Sequence, residues 1–140
     1  MAACDRARRR VAELDAELSR IRSRMKALVR QFRRDYPRRP QPVYPGVHVG
    51  GRERAPAIRW RLGGGAPRQS WLHFTSPILQ RHLEDHRVPY ATRRAWMDLD
   101  AQAQLLNMEA SMAAAERRVL DSYVEHIDAL TELAETYRAS

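Results

Sequence analysis

His82 and His86 stand four apart in His-Leu-Glu-Asp-His, a spacing that brings two imidazoles to one helix face and within reach of one metal ion. The hydrolytic pattern His-Glu-x-x-His is not met, because the glutamate is the second intervening residue and not the first. A third ligand would have to come from His48, His73 or His126, and a solvated basic helix face accounts for the pair as well. The single cysteine, Cys4, lies in an apolar repeat near the start, where a small buried hydrophobe is expected instead of a nucleophile. Gly63-Gly64-Gly65 lacks the Lys-Ser/Thr and helix start of a phosphate loop, and no Gly-x-Ser-x-Gly elbow is present. The residues therefore predict no catalytic group, no metal site, no cofactor and no enzyme.

Binding chemistry is better represented. The segment 40–95 carries nine arginines and a net charge of +6. Within it Ala57-Ile58-Arg59-Trp60-Arg61-Leu62 alternates, setting Ile58, Trp60 and Leu62 on one face of a strand and Arg59 and Arg61 on the other. Ser70-Trp71-Leu72-His73-Phe74-Thr75 is its expected partner across a Gly-rich tip that holds Arg68. Leu72 and Phe74 then join the apolar face, and Trp71 and His73 join the arginines. Arginine neutralises phosphate and tryptophan stacks on bases, so Arg59, Arg61, Arg68, Trp71 and His73 form a candidate nucleic-acid surface, DNA being expected ahead of RNA. A helix-turn-helix from Pro77 to the Arg93-Arg94 pair is a weaker alternative, because its second helix is very long and its turn holds Pro89.

The elements that must position these residues read clearly. Cys4, Ala7, Val11, Leu14, Leu18, Ile21, Met25, Leu28 and Phe32 alternate in steps of three and four, a heptad seam. It predicts a helix over 5–35, ended by Pro37. Residues 37–56 form a proline-rich extended connection, with a short strand at Val47-His48-Val49. The hairpin occupies 57–75. Ser76-Pro77 starts a short helix over 77–86, and Thr92 is expected to cap a long helix over 92–138. The expected fold is α+β and mainly α. Two long antiparallel helices form a coiled-coil hairpin, with a small β-hairpin and one short helix at the joining end, all in a single domain spanning 1–140.

Charge divides the same way. Residues 1–39 are net +8 and residues 96–140 net −6, which suits antiparallel packing of the first helix on the last. The expected contacts are Arg22 with Glu109, Glu17 with Arg118 and Arg10 with Glu125. The last helix carries two apolar stripes, one of Trp96, Leu99, Ala103 and Leu106, the other of Leu105, Met108, Met112, Ala115 and Val119. One facing helix covers one stripe, so Leu105, Met108, Met112 and Val119 are the expected interface of a homodimer, drawn as a four-helix bundle of two hairpins. A parallel pairing of two first helices is the other route, with Arg10 facing Asp15 and Glu17 facing Arg22.

Composition bounds the rest. The chain has 140 residues, 44% apolar and 30% charged, with a formal charge of +8, which is one domain with enough apolar content for a core. No apolar run approaches a membrane span, and the start lacks the apolar stretch of a signal peptide, so a cytoplasmic protein is expected. Lys26 is the one lysine against 24 arginines, a bias read as high-GC codon usage, so arginine identity carries no weight beyond charge and position. The function expected is a non-enzymatic nucleic-acid-binding accessory protein of a bacterial plasmid, phage or other mobile element. The competing class is a coiled-coil scaffold or assembly subunit that binds another protein, for instance through its acidic C-terminal helix.

Overall fold

The computed structural model describes residues 2–38, 41–50, 54–63 and 71–140. In chain order these form α1 (Ala2–Asp35), β1 (Val43–His48), β2 (Ala57–Leu62), α2 (Pro77–Asp85) and α3 (Tyr90–Ala139). The fold is α+β: α1 and α3 lie antiparallel, and a two-stranded antiparallel sheet with α2 sits where they join. At 1.5 Å per residue α1 is about 51 Å long and α3 about 75 Å.

The heptad seam of α1 is the face that packs. Cys4, Ala7, Leu14, Ile21, Met25, Leu28 and Phe32 are buried, while Val11 and Leu18 are half-buried. Val29, a flanking position in the heptad, is buried as well. Against the seam α3 sets Trp96, Leu99, Ala103, Leu106, Ala110 and the pair Ala113 and Ala114. The core is therefore large and aromatic at the sheet end and thins to alanine farther along. Phe32, Tyr36, Trp60 and Trp96 pack as one aromatic group, with Phe32 edge-on to Trp60 at 5.8 Å.

Ion pairs flank this seam, and for Arg10 and Glu109 the partners differ from those expected. Arg8 bonds Asp128 at 2.8 Å, Arg117 forms an ion pair with Asp15 at 2.6 Å, Arg24 reaches Glu109 at 3.6 Å, and Arg10 joins Glu116. Arg10 does not extend to Glu125, because Glu13 and Glu17 on its own helix, each 3.2 Å away, draw its guanidinium toward the C-terminus of α1, level with Glu116. Asp15 is neutralised by Arg117.

The hairpin also differs from expectation. The main partner of β2 is β1, in the register Val43 opposite Leu62, Pro45 opposite Trp60 and Val47 opposite Ile58. The run at 70–75, expected as the second strand, contributes one antiparallel bridge, in which Trp60 and Leu72 exchange both backbone hydrogen bonds at 2.8–2.9 Å. A proline inside a strand normally argues against it, but Pro45 stands opposite a residue whose N–H and C=O point to the other side of β2. No ladder bond is lost there. Gly63 closes the sheet by donating to the Pro42 carbonyl at 2.8 Å, and a Cβ at this position would overlap the Gln41 carbonyl oxygen.

On the edge of β2 away from β1, the chain uses a side chain in place of a strand. Asn107 of α3 accepts from the Ile58 N–H at 2.7 Å and donates to the Ile58 carbonyl at 3.1 Å. Asn107 is buried and Ile58 fully so. Farther along β2, Trp60 donates its indole N–H to Asp100 of α3 at 2.9 Å. Helix and strand are thus tied at two points about two turns apart.

The helix starts follow local rules. Pro77 occupies the first turn of α2 as expected. α2 ends in a Schellman pattern, with Val88 N–H on the Leu83 carbonyl, Arg87 N–H on the Glu84 carbonyl and Arg87 left-handed at φ 52°. α3 begins at Tyr90 after Pro89, ahead of the expected cap at Thr92, since the proline already fixes a φ suited to helix entry.

Two outcomes test this fold. Asn107→Ala leaves both backbone groups of Ile58 buried and unpaired and should cost roughly 2–4 kcal/mol in urea unfolding, where a loss below about 1 kcal/mol would contradict the pairing. The second outcome is a pH dependence. The hydrogen bond from Arg10, with its charge, holds the Glu116 carboxyl below its ordinary value of 4.5. Ionised Glu116 therefore stabilises the fold above pH 4.5, and that contribution is lost as the pH falls through the lowered value. Glu116→Gln should melt below the wild type at pH 7, with the gap closing in acid; a constant gap would mean the ion pair contributes nothing.

Candidate nucleic-acid interface

The two faces of the sheet have opposite character. Val43, Pro45, Ile58 and Trp60 point into the helices and are buried. The other face presents Tyr44, Gly46 and His48 from β1 beside Arg61, Arg59 and Ala57 from β2. The segment after β2 lays Trp71 and His73 across it. The Trp71 indole rests on Gly46, where a Cβ would come within 2.8 Å of the ring, so only glycine admits this approach. Its ring lies 5.3 Å from that of His48, and the Arg61 guanidinium carbon sits 3.8 Å from the ring centroid. Arg59 Nη1 meets His73 Nδ1 at 3.3 Å.

Four of the five expected site residues thus share one face: Arg59, Arg61, Trp71 and His73. Arg68 lies outside the described residues. Trp71 is half-buried, and the Arg61 guanidinium already covers one face of its ring. Tyr44 and His48 belong to the same face and escaped sequence reasoning, because the pairing of β1 with β2 was not foreseen. Alternation within Val43–His48, with Pro45 read as compatible with an edge, was the available signal.

The electrostatics follow from which groups lie nearby. Among the described residues no carboxylate pairs with Arg59, and its bond is to a histidine. The first-helix arginines Arg8, Arg10 and Arg24, by contrast, are engaged by α3 carboxylates. The clefts along the α1–α3 seam, such as the one of about 260 Å³ beside the Asp15–Arg117 pair, do not border the sheet face.

Of the other candidate groups, His82 Nε2 is buried without a hydrogen-bond partner among the described residues. The rings of His82 and His86 lie 4.2 Å apart, tilted by 47°, and His86 Nδ1 lies 3.0 Å from the His82 carbonyl. Among the described residues no three His, Cys, Asp or Glu side chains gather as metal ligands. Cys4 is free and buried. No helix among the described residues is long and apolar enough to cross a membrane. Leu105, Met108, Met112 and Val119, the expected dimer interface, are all exposed on α3.

No protein-family model matches the chain, and neither a curated protein nor a solved structure does.

Proposed function

We propose that the outer face of the sheet binds nucleic acid through its phosphates, DNA ahead of RNA. In this reading the protein is a non-enzymatic accessory factor of the cytoplasm, carried by a bacterial plasmid, phage or other mobile element. The observation that carries the proposal is the pair of half-buried guanidinium groups on the outer face of the sheet, Arg61 stacked on Trp71 and Arg59 beside His73. A guanidinium held on an aromatic ring loses little freedom when it meets a phosphate, and it presents a planar donor edge to the oxygens. The surrounding segment, 40–95, is net +6 and contributes the long-range attraction. Protein scaffolding is the second reading, and the exposed apolar face of α3 favours it.

Binding of labelled duplex and single-stranded oligonucleotides over a range of salt tests the proposal. Wild-type affinity should fall linearly on logarithmic axes, and Arg59→Ala/Arg61→Ala should flatten the duplex slope by about 0.9 for each phosphate no longer neutralised. Trp71→Ala separates the two possible roles of the indole. As a support for Arg61 it should flatten the slope like Arg61→Ala, whereas as a stacking platform it should weaken single-strand binding at unchanged slope. A folded wild-type protein that binds neither oligonucleotide would overturn the proposal in favour of scaffolding.

A further inference from the structure

Among the described residues twelve large hydrophobic side chains are exposed, and only Val49 and Ile78 lie outside α3. At 100° per residue the ten on α3 fall within an arc of about 80°. That arc points away from the face of Trp96, Ala103 and Ala110 that packs on α1. The stripe also stays straight. Leu105, Met108, Met112, Ala115 and Val119 recur eighteen residues later as Tyr123, His126, Leu130, Leu133 and Tyr137, and eighteen residues are five helical turns. A solvated helix has no reason to keep such a stripe for about nine turns.

We propose that two copies of the chain pair antiparallel through this face of α3, about a two-fold axis at Asp121. The stripe is nearly self-complementary about that point. Reversing a second copy on the first sets Leu105 against Tyr137, Met108 against Leu133, Met112 against Leu130, Ala115 against His126 and Val119 against Tyr123. All five pairs come from one register to within a residue, as an isologous interface requires. At roughly 100 Å² for each half-exposed large side chain, the eight within the overlap supply on the order of 800 Å² per partner, the area of a standard stable interface.

Charge selects the second copy and its direction. Residues 121–140 are net −4, and residues 40–95 are net +6. Antiparallel pairing lays the acidic end of each α3 beside the basic sheet end of the other copy, whereas parallel pairing would set like ends together. About one residue from that register Arg118 is level with Glu125 of the second copy, twice by symmetry, and Glu109 and Glu116 are level with Ala134 and Ile127. The end of α3 gains most. Arg8 already bonds Asp128, so α3 runs on past the start of α1, where Leu133 and Tyr137 are 45% and 68% exposed. The second copy covers that overhang.

This arrangement departs from both dimers that the sequence suggested. The α1 seam is buried within the chain, with Leu14 and Met25 at 1% and 0% exposure, so it does not serve a parallel pair. Among the described residues none of the exposed large hydrophobics lies on α1, so the contact is between two α3 helices with α1 outside, and not a four-helix bundle. The proposal stands independently of nucleic-acid binding.

Sedimentation of the full chain should show a dimer, and Met112→Glu/Leu130→Glu should give a monomer with its helical circular dichroism retained. Direction is read by disulfide formation in a Cys4→Ala background. Leu105→Cys mixed with Tyr137→Cys should form a heterodimeric disulfide under mild oxidation, and neither variant alone should cross-link. Self-cross-linking of Leu105→Cys would establish a parallel pair and overturn the proposal. A monomeric wild type, or a double glutamate variant that remains dimeric, would overturn it equally, and the cysteine variants decide the matter even where the glutamates unfold the chain.

Discussion

A two-stranded sheet is marginal in water, and the one in this protein persists because a helix side chain completes its edge. The Asn107 amide offers Ile58 the same donor and acceptor that a neighbouring strand would offer. Burial makes the exchange decisive, since an unpaired amide and carbonyl at Ile58 could not turn to water. Everything at the sheet end inherits its position from this contact. It fixes the height and rotation of β2 on α3, places the Trp60 indole over Asp100, and by alternation sends Arg59 and Arg61 outward. Leu72 then has one remaining place to bond, at Trp60, and that bond brings Trp71 and His73 to the arginine face.

The parts legible in the sequence were those governed by period. The seam from Cys4 to Phe32 marked α1 and its buried face, because strict steps of three and four sustained over four heptads suit a packed helix and no strand or loop. Alternation through Ile58, Trp60 and Leu62 marked β2 and both of its faces. The stripe of Leu105, Met108, Met112 and Val119 stood apart from that of Trp96, Leu99 and Ala103, and the structure buries the second and exposes the first.

Strand partnership and long-range polar contacts were not legible. Pro45 made Val43–Pro45 read as extended connection and confined the expected strand to Val47–Val49, because its missing N–H matters only once the direction of the bond is known. Asn107 read as an ordinary polar residue among helix formers, and nothing nearby in sequence marks it as the partner of a strand forty-nine residues away. Charge at the level of segments gave the antiparallel order of α1 and α3, but single pairs followed local crowding, as Arg10 among Glu13, Glu17 and Glu116 illustrates.

The molecule separates its surfaces by chemistry: a cationic sheet face at one end, an ion-paired seam along the helices, and an apolar face on α3. The central functional claim concerns the first. Nitrogen-resolved NMR of the full chain during titration with a duplex oligonucleotide tests it most directly. The side-chain N–H signals of Arg59, Arg61 and Trp71 should shift together and saturate at one affinity, with the resonances of Met112 and Leu130 left in place. Shifts confined to the α3 stripe, or an unchanged spectrum at saturating oligonucleotide, would contradict the claim.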